Sequence, residues 1–169
     1  MRPGWMRPED RIGGAVATQL LVARSGSAAL GLTGVAAFPN GFEFTIVVVL
    51  REEDRRGRVF EYGFQRFDEP PGPEFLRIGL GFTDGSVVTN LDRHPWNLWE
   101  RELAGPVLIG QDGGGGGRRY EMRYWVAPLP PEGAITVVAE WPAQGISETR
   151  ADLDGSLIRA AADRAVSLW

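Results

Sequence analysis

The strongest pattern in the chain is the period-two alternation of GFEFTIVVVLR, residues 41–51. Phe42, Phe44, Ile46, Val48 and Leu50 fall on one side, and Glu43, Thr45, Val47, Val49 and Arg51 on the other. Successive side chains of a strand point to opposite faces, and β-branched and aromatic residues suit that geometry. The segment therefore predicts a strand with one face toward a core. Residues 76–82 repeat the pattern through Leu76, Ile78, Leu80 and Phe82, and Asp84-Gly85 follows as a hairpin signal. RVFEYGFQRF at 58–67 alternates as well. Tyr120, Met122, Tyr124 and Val126 alternate with Glu121, Arg123 and Trp125, and Ile135, Val137, Ala139 and Trp141 share a face. Residues 146–153 alternate polar and apolar, and AGPVLIG is a short strand ending at Gly110. Residues 15–38 hold two apolar segments, AVATQLLVAR and SAALGLTGVAAF, in which glycines recur too often for a helix. They predict two strands. The charged positions Glu121, Arg123, Glu140, Glu148, Arg150 and Asp152 suit cross-strand pairs on a wet face.

Helical spacing occurs at the end. Asp154 is placed to cap a helix over 155–168 that runs on through Trp169. Leu157, Ala161, Ala165 and Leu168 form its stripe, with Ile158, Ala162 and Trp169 beside them. Residues 1–14 carry two Pro, three Gly and alternating charges, and read as an arm in which Trp5 is out of place. The remainder, 15–169, is of one-domain size with no fixed-period repeat. Short strands, turn signals at intervals of about ten residues and one terminal helix predict a mainly β fold, an antiparallel β-sandwich. A partly open barrel is the alternative.

Composition removes many chemistries. The net charge is −4, which supplies no broad basic field for a nucleic acid. All 18 basic residues are Arg, so no lysine is present for a Schiff base or a P-loop. The chain is also cysteine-free, which excludes thiol nucleophiles, thiolate zinc sites and disulfides. His94 is the one histidine, so two-His metal sites within one chain are excluded. No cofactor and no metal are expected. No run approaches the ~18 apolar residues of a membrane span. IGGAVATQLLVA faintly resembles a signal peptide, but it holds Thr18 and Gln19 and lacks a clear cleavage site, so a cytoplasmic location is expected.

Two stretches concentrate candidate chemistry. In QDGGGGGRRYEMRYW, residues 111–125, five glycines precede Arg118 and Arg119. A phosphate loop needs a lysine and a following helix, and here a strand follows. Five glycines also lose the most backbone entropy on ordering. The run therefore reads as a flexible hairpin connection feeding a strand, with Arg118 and Arg119 as binding candidates. In DRHPWNLW, residues 92–99, Asp92 and His94 are weak catalytic candidates, with a serine such as Ser86 to complete a triad, although no nucleophile elbow is present. Trp96 and Trp99, three apart, share a face of any helical turn and with Arg93 suit a protein, peptide or sugar. The structural alternative is a plug closing one end of the sandwich. Leu168 and Trp169 suit docking or dimerisation. The expected function is a non-enzymatic interaction module or assembly subunit, binding a protein partner or a second copy of itself as a homo-oligomer. A carbohydrate-type ligand-binding sandwich using Trp96 and Trp99 is the alternative, and a hydrolase around His94 is a second one.

Overall fold

The computed structural model describes residues 2–55, 70–92, 94, 95 and 97–169. The alternating segments become strands: β1 (Arg11–Ile12), β2 (Gly14–Ala15), β3 (Leu20–Arg24), β4 (Ala28–Phe38), β5 (Gly41–Leu50), β6 (Arg77–Gly81), β7 (Val87–Thr89), β8 (Val107–Gly116), β9 (Arg119–Ala127), β10 (Ala134–Trp141), β11 (Ile146–Asp154) and β12 (Val166–Ser167). Among the described residues one α-helix, α1 (Gly155–Ala162), stands between β11 and β12. The expected strand at 58–67, and Arg93 and Trp96, lie outside the described residues.

All strand pairs are antiparallel. The larger sheet runs β2-β4-β5-β9-β8, with β3 also paired to β4, and the smaller runs β11-β10-β6-β7. The inward faces are the ones the alternation marks. Phe42, Phe44, Ile46 and Val48 of β5 and Tyr120, Met122, Tyr124 and Val126 of β9 are buried. They share one core with Ile78 and Leu80 of β6 and with Ile135, Val137, Ala139 and Trp141 of β10. Each Val, Leu, Ile, Phe or Met side chain among them contributes about 1.5–3 kcal/mol relative to exposure. The fold is an antiparallel sandwich, and among the described residues the sheets form no closed barrel.

The helix is shorter than its sequence pattern. Asp154 caps it as expected, its side chain accepting from the Ser156 amide at 2.9 Å. It ends at Ala162, where Arg164 N and Ala165 N donate to the carbonyls of Ala161 and Ala162 in a tightening turn. The chain then leaves as β12, pairing Val166 with Ile12 and Ser167 with Arg11. Leu168 N donates to Asp10 O at 2.9 Å. Continuing the helix through 168 would forfeit this ladder, and β-branched Val166 favours the strand. The buried stripe is Ile158, Ala161 and Ala162, while Leu157 faces outward. Residues 1–14 are therefore partly built in, through β1, β2 and a buried Trp5.

The pentaglycine also differs from its expected role. Gly113–Gly116 belong to β8 and pair with Met122, Glu121, Tyr120 and Arg119 of β9. Only Gly117, with φ 65°, lies in the turn, beside Arg118. Ladder hydrogen bonds are made by the backbone, so glycine can supply them where β9 carries all the side-chain pattern.

Candidate interaction surface

The odd-numbered residues of β9 point away from the core between the sheets. Trp125 is nonetheless buried, because a second cluster of Trp5, Phe38, Leu98, Val107, Ile109 and Ala127 covers it. The cover is pinned by two indole bonds. Trp125 Nε1 donates to Trp5 O at 3.0 Å, and Trp5 Nε1 donates to Arg101 O at 2.8 Å. A short 3-10 turn, Leu98–Glu100, buries Leu98 and lays Trp99 against Trp5, with ring centroids 5.4 Å apart and planes at 25°. Trp99 thus pairs with Trp5, and the residue stays 47% exposed.

The catalytic candidates are engaged separately. Asp92 accepts from the amide and hydroxyl of Thr89 at 2.8 and 2.9 Å. Ser86 donates its hydroxyl to Asp84 at 2.5 Å. The Ser86 hydroxyl and amide hold the Asp84 carboxyl below the usual carboxylate range. His94 Nε2 is buried, and no hydrogen bond reaches it among the described residues. None of these bonds joins Asp92, His94 and Ser86.

Beyond the tryptophan cover, the same outer face of the larger sheet carries a row of charges. Three cross-strand partners set it: Asp112 with Arg123, Gly114 with Glu121, and Gly116 with Arg119. Arg123 grips Asp112 with Nε at 2.9 Å and Nη2 at 2.5 Å, a bidentate fork. That hydrogen bond, with the charges of Arg123 and Arg7, holds the Asp112 carboxyl below its ordinary value against the opposing effect of burial. Arg119 Nη2 reaches Glu121 at 3.0 Å. A trough of about 480 Å³ runs over this face, walled by Thr45, Arg119, Glu121 and Arg123 and floored by Gly113, Gly114 and Gly115. Arg118, the other basic candidate, turns back to donate to Arg51 O at 3.3 Å. Of the two arginines after the glycines, only Arg119 lines the trough. Asp112, Glu121 and Arg123 are its further residues. Glu121 and Arg123 are among the charged positions expected on a wet face, whereas Asp112 is not, because a loop over 113–117 gives no register and hence no partner for it.

A second surface lies on the ribbon formed by β1 and β12. Ile12 and Val166 are direct cross-strand partners and are 58% and 56% exposed. Leu168 follows at 45% and Trp169 at 93%. The two terminal candidates therefore extend an apolar pair built by the N-terminal segment.

These features define an antiparallel two-sheet sandwich with an exposed apolar ribbon and a glycine-bearing outer strand beside a charged row. No protein-family model matches the chain, and neither a curated protein nor a solved structure matches it significantly. Among the described residues, no helix is long and apolar enough to cross a membrane.

Proposed function

We propose that the chain is a non-enzymatic interaction module that docks a protein partner through the β1–β12 ribbon. The supporting observation is the exposure of the cross-strand pair Ile12 and Val166 on a hydrogen-bonded ribbon, with exposed Leu168 and Trp169 following it in the chain. Contiguous exposed apolar side chains mark contact sites on soluble domains. Trp is also among the residues that dominate binding energy. The complementary partner presents an apolar groove that accepts the Trp169 ring. Pull-downs with the wild-type chain and with Trp169→Ala plus Val166→Ser test the reading. A protein retained by the first and lost from the second, with unchanged circular dichroism, is expected. Equal retention by both chains removes the ribbon from the proposal.

A ligand-binding reading rests on a different observation. A groove of about 640 Å³ crosses the outer face of the smaller sheet. Gly79 and Gly81 floor it, and Val87, Thr89, Thr136 and Val138 flank them. The Arg77–Glu140 pair, at 3.1 Å, also lines it. Carbohydrate recognition would place a sugar there or on the exposed face of Trp99. A thermal-shift screen of oligosaccharides, repeated on Thr136→Trp and Trp99→Ala, separates the two places. Silence from the whole screen ends the carbohydrate version.

A further inference from the structure

We propose that two copies of the chain pair through β8, antiparallel across a two-fold axis at Gly114, so that their larger sheets join. Among the described residues β8 is the outer strand of its sheet and pairs only with β9. Its residues from Gly110 to Gly116 are all exposed. An outer strand spends about half of its backbone donors and acceptors on its one neighbour, and the rest face outward. Outer strands are ordinarily protected by proline, charge or a bulge. Here the bulge lies between Gly110 and Asp112, and the register from Asp112 to Gly116 is unbroken by a further shift.

The charge row selects a second copy as the occupant. Two-fold antiparallel pairing at Gly114 places Asp112 of one copy opposite Gly116 of the other. Gly116 is the cross-strand partner of Arg119. The carboxylate of one copy and the guanidinium of the other then stand two strand spacings apart, about 10 Å between Cα atoms. Only a bare glycine separates them, and the two side chains together span that gap. The contact occurs twice by symmetry. Each Asp112 then lies between Arg123 of its own chain and Arg119 of the second copy. The axis also opposes Gly114 to Gly114, and a Cβ there meets nothing within 4 Å, as at Gly116. The fold itself leaves room for side chains at both positions, so the packing of a single copy does not require glycine there. This surface is separate from the ribbon, so the two proposals stand or fall independently.

Two measurements test the pairing. Sedimentation of the wild-type chain over a concentration series is expected to show a monomer–dimer equilibrium. Asp112→Arg or Arg119→Asp alone should weaken it by about tenfold, since each places like charges across the seam. The double exchange should restore it at least in part. Gly114→Cys supplies the only thiol in the chain. Opposed to its own copy at the axis, it should form a disulfide-linked dimer under mild oxidation. Gly116→Cys, opposed to Asp112, should link far less. A wild-type monomer at every concentration overturns the proposal. A dimer insensitive to both charge reversals, or equal cross-linking of the two cysteine variants, overturns it as well.

Discussion

A methyl group added at Gly14 would collide with the Ala161 carbonyl of α1, whereas one added at Gly114 meets nothing within 4 Å. Glycine therefore has different causes at different positions. At Gly14 it lets β2 and the helix backbone touch. At Gly115 it serves a φ of 142° and leaves room for the backbone of Arg119 and Tyr120. At Gly114 and Gly116 the folded chain does not need it. Gly14→Ala and Gly115→Ala are expected to destabilise by about 1–3 kcal/mol or more, from collision and backbone strain. Gly114→Ala should be neutral or stabilising by up to about 1 kcal/mol, because alanine narrows the unfolded ensemble. Urea unfolding midpoints at constant slope check the contrast. Equal losses at Gly14 and Gly114 would contradict it.

At the scale of elements, the capped start of α1 gives a pH dependence. The Ser156 hydroxyl and then its amide hold the Asp154 carboxyl below the usual carboxylate range. A carboxyl lowered in the folded state contributes stability that is fully present above its unfolded value, near pH 4, and is lost as pH falls through the folded one. Melting followed by circular dichroism should show the wild-type midpoint dropping below about pH 4. Asp154→Ser keeps a capping oxygen without titrating, so its midpoint should drop less over the same range. Parallel curves would remove Asp154 as a cause. The sequence exposes this cap, because Asp154 precedes an apolar stripe. It also exposes the inward faces of β5, β6, β9 and β10, since one-sided burial imposes period two. It does not expose β8 beyond Gly110, because glycines carry no periodicity and the ladder there is made by backbone alone. Nor does it expose the helix end, where pairing with Arg11–Ile12, some 150 residues away in the chain, overrides local spacing.

At the scale of the molecule, the buried tryptophans among the described residues divide between two clusters, and this sets how the fold should come apart. Trp141 belongs to the core between the sheets, with its Nε1 donating to Glu74 O at 2.8 Å. Trp5 and Trp125 belong to the outer cover. Alternation alone puts Trp125 on the wet side of β9, and only the covering segments around Trp5 and Leu98 reveal why it is buried. The same long-range contacts explain why Trp99 was legible as a candidate but its stacking partner was not. Leu80→Ala opens a cavity in the shared core and is expected to cost about 2–5 kcal/mol, lowering both clusters together. Trp5→Ala removes a larger side chain, for which about 3–5 kcal/mol is usual. That cost should fall mainly on the cover, because the ladders β10–β11 and β10–β6 do not depend on Trp5. Hydrogen exchange distinguishes the two cases, since it reads local opening separately from global unfolding. In Trp5→Ala, the Trp125 indole and the amides of residues 98–103 should lose protection while β10 keeps most of its own. In Leu80→Ala, β10 and the cover should weaken in parallel. Equal weakening of β10 and the cover in Trp5→Ala would mean that they open as one cooperative unit, and the cover would then be part of the core rather than a layer laid over it.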